Sequence, residues 1–157
     1  MARRSISFAA LLVISACAQA EDAPRNDAEI FIAAGYHLEG SSWKKCDDPG
    51  TMSYSPGAIS DVGDLNGDGS PELVVSEGSS YCYGMTGTAF TLVTREGAGW
   101  KAIIDSPGIP LFLESKGKDG WPDVEVGGPG FCFAKLHWNG EAYSEAGFSY
   151  EGKPCKP

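Results

Sequence analysis

Residues 64–75 read DLNGDGSPELVV, a stretch that sets oxygen-bearing side chains at alternate positions: Asp64, Asn66 and Asp68, then Glu72. Gly67 and Gly69 between them let the chain curl, so that the oxygens turn toward one centre. A centre ringed by carboxylate and amide oxygens suits a hard cation taking about six to eight oxygen ligands, Ca²⁺ above all. Val74 and Val75 follow at once, so the loop feeds a β-strand and not the exit helix of an EF-hand.

Other residues that could do chemistry are fewer. Asp123 and Glu125 stand at i and i+2 on a predicted strand, hence on one face. Two such carboxylates suit acid/base work on a glycoside, although a solvated edge face is the plainer expectation. His37 and His137 have no nucleophile motif beside them, and G-x-S-x-G is absent, so both are expected to be ordinary histidines. Trp121 sits at the tip of a second acidic turn beside Gly120 and Pro122. Its indole is either a sugar platform or partner contact, or a lid folded over the core.

Cysteine use points to export. Apart from Cys17 there are Cys46, Cys82, Cys132 and Cys155, with no C-x-x-C spacing and two histidines in the chain, which favours two disulfides over a zinc site. Of the three pairings, Cys46–Cys82 with Cys132–Cys155 is favoured because those cysteines are neighbours in sequence. Tyr81 and Tyr83 flank Cys82, and Phe131 and Phe133 flank Cys132. On strands each pair shares a face and is expected to pack the core beside its disulfide.

Residues 1–20 read as a secretory signal peptide: Arg3 and Arg4, a short apolar run from Ile6 to Ala16, and Ala18-Gln19-Ala20 before Glu21. The run is too short to span a bilayer. Ile14-Ser15-Ala16-Cys17 also fits a lipobox, which would acylate Cys17 and tether the protein to a bacterial membrane. Cleavage after Ala20 leads, because isoleucine stands where leucine is usual. Residues 21–157 then form one domain, periplasmic or secreted and monomeric. Without Arg3 and Arg4, ten basic residues face 21 acidic ones, a net charge of −11. That excludes nucleic acid and anionic membrane surfaces as partners.

The elements that must position these residues are mostly strands. A short helix over 28–34 is expected, capped by Asp27 and stopped by Gly35, with Ile30, Phe31 and Ala34 on its buried side. Residues 36–45 look extended, 46–57 look like a loop, and 58–62 like a strand entering the oxygen loop. Strands are expected over 73–76, 89–94, 100–104 and 124–126. Residues 105–120, with Pro107 and Pro110, look like a loop holding a short apolar piece at 111–113. Asn139-Gly140 signals a type I′ hairpin.

Asp68-Gly-Ser-Pro-Glu-Leu-Val-Val aligns with Asp119-Gly-Trp-Pro-Asp-Val-Glu-Val, and Cys82 and Cys132 follow at nearly equal spacing. One unit therefore occurs twice, over about 58–106 and about 115–150: acidic turn, strand, aromatic-Cys-aromatic strand, hairpin. The string D-x-N-G-D-G-x-x-E-L-V-V resembles the core of FG-GAP and VCBS-type repeats, the calcium-loop repeats of integrin-like β-propellers. That resemblance implies ligation of Ca²⁺ by Asp64, Asn66, Asp68 and Glu72 and by the backbone carbonyl of Ser70. The second copy departs from the pattern, with Ser115, Gly117, Asp119 and Asp123 at the matching positions, and is expected to be a plain turn or a weaker site. Two units cannot close a ring of about seven blades.

The expected fold is therefore mainly β with a short N-terminal helix, two degenerate β-repeat units, stapled by disulfides and not a closed propeller. The expected function is that of an exported, non-catalytic calcium-binding module that binds a protein or glycan outside the cytoplasm. An inhibitor of a basic hydrolase such as a lysozyme is the alternative, and a glycoside hydrolase using Asp123 and Glu125 a third.

Overall fold

The computed structural model describes residues 25–157, so the signal-peptide and lipobox assignments, Cys17 included, lie outside the described residues. Helix α1 spans Asp27–Ala33. Its cap is Asn26, one residue earlier than expected: the Asn26 side chain accepts the amide of Ala28 at 3.2 Å, which leaves Asp27 in the first turn. Residues 36–45 are not one extended run. They form a hairpin, β1 (His37–Glu39) and β2 (Ser42–Lys44), because Gly40 takes a positive φ of 61° at the bend.

Two antiparallel sheets follow, each a four-strand meander. The first holds β3 (Ser55–Gly63), β4 (Glu72–Gly78), β5 (Thr88–Glu96) and β6 (Gly99–Pro107), in chain order. The second holds β7 (Ile109–Lys116), β8 (Pro122–Gly127), β9 (Phe133–Trp138) and β10 (Tyr143–Tyr150), with a short β11 (Lys153–Pro154) on its far edge. The chain is thus mainly β, built from two repeat units that do not close into a ring. Most of the expected loop at 105–120 is strand. Pro107 ends edge strand β6 and Pro110 lies in edge strand β7, where a missing amide costs the ladder nothing.

The first aromatic-Cys-aromatic element differs from expectation too. Ser80–Tyr83 is a one-turn helix, α2, capped by the Ser79 hydroxyl on the Cys82 amide. In the second copy Cys132 has φ 69°, which breaks the alternation. Tyr81 and Phe131 are consequently exposed, while Tyr83 and Phe133 are half-buried. The Asn139-Gly140 hairpin forms, but with a four-residue turn over 139–142 and not type I′. Asn139 Oδ1 accepts the amides of Glu141 and Ala142, and its own amide donates to the Ala142 carbonyl.

Packing follows strand alternation. Leu73, Val75 and Val93 of the first sheet face α1, packing on Ile30, Phe31, Ala34 and Tyr36. Val74, Phe90, Leu92 and Ile104 point the other way and meet Val124 of the second sheet, with Phe112, Val126 and Leu136 around it. The order of layers is helix and hairpin, first sheet, second sheet. The expected disulfides are present: Cys46–Cys82 joins the segment after β2 to α2, and Cys132–Cys155 joins the β8–β9 connection to the tail. Such bonds belong to an oxidising, non-cytosolic compartment. Among the described residues no helix is long and apolar enough to cross a membrane.

Candidate functional site

The oxygen-rich stretch is the β3–β4 connection. Its chain wraps around Asp64: Oδ1 accepts the amides of Gly67 at 2.7 Å and Asp68 at 3.2 Å, and Oδ2 accepts that of Gly69 at 2.9 Å. Positive φ at Gly67 (83°) and Gly69 (92°) makes this curl possible. The Gly69 amide foremost, then those of Gly67 and Asp68, outweighs desolvation and holds the Asp64 carboxyl below its ordinary value. Asn66 and Asp68 are tied to each other and to the backbone, Asn66 Oδ1 accepting the Asp68 amide and Asp68 Oδ1 that of Ser70, both at 2.8 Å.

Glu72 is placed apart from these. It is fully buried at the start of β4, where Oε2 accepts the Leu65 amide at 2.8 Å and Oε1 the Thr94 hydroxyl at 2.9 Å. Burial foremost, and the charges of Asp68 and Asp64, raise its pKa against those two hydrogen bonds. Among the described residues no three acidic, histidine or cysteine side chains group as a metal site. A cation held in this loop would therefore need neutral oxygens as well as carboxylates. Asp64 and Asp68, the Asn66 amide and the Ser70 carbonyl are all hard oxygen donors, which fit Ca²⁺ in kind.

The second acidic turn sits between β7 and β8, at the matching place in its sheet. Asp119 there has φ 55°, and Gly120 lies so close to the first loop that a Cβ on it would stand 2.6 Å from the Asn66 carbonyl oxygen. Lys116 Nζ reaches the Leu65 carbonyl at 3.0 Å. The two turns thus touch, and the second sheet lends a cation to the edge of the first loop.

Asp123 and Glu125 share one face of β8, as alternation requires, but the face is not solvated: both are buried. Asp123 accepts the Ser115 hydroxyl at 2.8 Å and meets His137 Nδ1 at 2.7 Å and Lys135 Nζ at 3.4 Å. Burial opposes its charge, yet Ser115, His137 and Lys135 together outweigh it and lower the pKa. Because an ionised carboxylate only accepts, Nδ1 of His137 carries the proton in that contact. Glu125 is covered by the tail, whose Gly152 amide lies 3.4 Å from both oxygens. His37 is exposed on β1.

Trp121 is not a platform. It is 6 % exposed and closes an aromatic cluster with Trp138 and Tyr143, at centroid distances of 5.4 and 6.2 Å. Two further carboxylates escaped the sequence reading. Glu77, buried on β4, accepts the amides of Lys45 and Cys46 and the hydroxyls of Tyr54 and Tyr83. Asp48 accepts the Gly50 and Thr51 amides and the Thr51 and Ser79 hydroxyls; against desolvation these bring its pKa down to about 2. A glutamate inside the apolar run LVVSEG and the turn pattern DPGT were the signals available. No known protein family, characterised protein or solved structure matches the chain.

Proposed function

We propose that this chain is an exported, non-catalytic β module that takes Ca²⁺ in the β3–β4 loop and binds a protein or glycan outside the cytoplasm. The observation that carries the calcium part is the loop itself. Its backbone is already curled on Asp64, and the charges of Asp64 and Asp68 are felt at buried Glu72. A bound Ca²⁺ would supply the positive charge that offsets this repulsion. Asp64, Asn66, Asp68 and the Ser70 carbonyl would hold it, with Glu72 supporting the loop from beneath through Leu65. Exchangeable binding at about 10⁻⁴–10⁻³ M is the range of extracellular calcium modules.

Two observations speak against a glycoside hydrolase. Asp123 is engaged by three side chains and Glu125 is roofed by the tail, so neither offers a free carboxyl to a substrate. The test is a thermal melt of the oxidised protein in EDTA and in millimolar Ca²⁺, with Asp68→Ala beside it. At free calcium about 100 times its dissociation constant the stabilisation should be about 2.7 kcal/mol, several degrees in a domain of this size. A shift that Asp68→Ala loses supports the assignment. Equal melts in both conditions reduce the loop to a turn.

A further inference from the structure

We propose that the cavity beside the Cys46–Cys82 disulfide binds the ring of a neutral saccharide. This rests on the reading of the chain as a binding module and names the ligand class. The cavity has a volume of about 350 Å³ and is lined by Tyr36, Lys45, Tyr83, Thr91 and Asp105, with the disulfide as one wall. That volume falls in the range of small-molecule pockets, which run from about 300 Å³ upward.

The hydrogen-bonding groups left free decide the ligand. Lys45 spends all three ammonium hydrogens inside the protein: on the Ala34 carbonyl at 3.0 Å, the Thr91 hydroxyl at 3.1 Å and Asp105 Oδ2 at 2.7 Å. No donor of Lys45 remains for an anion, and the nearby carboxylates of Asp105 and Glu77 repel one. Tyr36 is 5 % exposed, and among the described residues nothing hydrogen-bonds its hydroxyl. Tyr36 lines the cavity, and burial, with the charges of Glu77 and Asp105, raises its pKa, so the phenol stays protonated and keeps a hydrogen to donate. An ammonium group cannot accept that hydrogen.

Asp105, 58 % exposed at its side chain, is the complementary acceptor; it takes Lys45 on one oxygen and the Thr91 hydroxyl at 3.3 Å on the other, with lone pairs to spare. A group that accepts from Tyr36 while donating to Asp105 is a hydroxyl. The remaining wall is apolar: the Tyr83 ring, Ala89, Pro107 and the disulfide sulfurs. Hydroxyls on one edge and C–H on the face describe a pyranose.

The experiment is an amide-shift NMR titration of the oxidised protein with glucose, galactose and N-acetylglucosamine, using glucuronate and glucosamine as charged controls. A neutral sugar should perturb Tyr36, Thr91 and Asp105 and leave the β7–β8 turn unmoved. Tyr36→Phe, which removes only the unpartnered hydroxyl, should keep the melting temperature and weaken binding about tenfold. Asp105→Asn should weaken it as well. The proposal is overturned by silence from all three neutral sugars, by tighter binding of glucuronate or glucosamine, or by unchanged affinity in Tyr36→Phe. Its failure is separable from that of the calcium reading, because Tyr36→Phe leaves the calcium-dependent melt intact and Asp68→Ala leaves the cavity intact.

Discussion

The two repeats give the same position opposite surroundings. Pro71-Glu72-Leu73-Val74 opens β4, and Pro122-Asp123-Val124-Glu125 opens β8 at the matching place. Glu72 and Val74 face the second sheet, whereas Asp123 and Glu125 face away from the first. The stacking is therefore directional, one face of the first unit meeting the opposite face of the second. A face that receives another sheet carries valine. The face that ends the stack carries a glutamate under a tail, the polar capping that terminal repeats require. The other end of the stack is closed by α1 and the β1–β2 hairpin. The two ends of the stack are thus finished differently, one by a helix and hairpin and the other by the tail.

The sharpest way to break that comparison is to exchange the residues. Val74→Glu places an unpaired charge between the sheets and should cost about 4 kcal/mol or more, seen as loss of a cooperative urea transition. Glu125→Val makes the converse change. Replacing a charge that the tail covers by an apolar residue should move stability by less than about 2 kcal/mol, read from the same urea transition. If Glu125→Val costs as much as Val74→Glu, the two faces are equivalent and the capping argument fails.

The disulfides rank next, and they too divide by unit. Cys46–Cys82 ties down the segment that covers the outer face of the first sheet, and Cys132–Cys155 the tail that covers the outer face of the second. The sequence separations of 36 and 23 residues correspond to about 3.8 and about 3.4 kcal/mol of loop-closure stabilisation. Paired Cys→Ala variants compared in urea should follow that order. A tail variant costing more than the first-unit variant would show that covering Glu125 outweighs loop closure.

Much of this architecture was legible in the sequence because it rests on local signals. Alternation marked β5 and β6, the β-branched pair Val74-Val75 marked β4, the D-G-x-P strings marked the repeat, and cysteine neighbourhood gave the pairing. What was missed depends on neighbours in space. Pro110 reads as a loop residue until β7 is known to be an edge. Trp121 is ambiguous until Trp138 and Tyr143 arrive from the next hairpin. Asp123 and Glu125 look solvated by alternation alone, and only His137, Ser115 and the tail at Gly152 reveal a buried polar face. The loop residues 64–70 were recognisable, but the inward turn of Glu72 toward Thr94 was not, since periodicity cannot say which strand face the second sheet will cover.

The smallest expected effects test the paired carboxylates by their opposite pH signatures. Asp123 has its pKa lowered in the fold, so its contribution is fully present above its ordinary value of 3.8 and is lost as pH falls through the folded value. Asp123→Asn should therefore lose about 1–2 kcal/mol at neutral pH and converge with the parent in acid. Glu72 has its pKa raised above the ordinary 4.5, so the fold binds its proton more tightly than the unfolded chain does. Its ionisation then costs stability as pH rises through the folded value. Glu72→Gln keeps an acceptor for the Leu65 amide without the charge, and in EDTA it should melt a few degrees higher than the parent at neutral pH, with the difference vanishing in acid. Adding Ca²⁺ sharpens the contrast. With Glu72 held inward by Leu65 and Thr94, Glu72→Gln retains the calcium-induced shift that Asp68→Ala loses; if both lose it, Glu72 turns outward to the ion and the two repeats are more alike than their faces suggest.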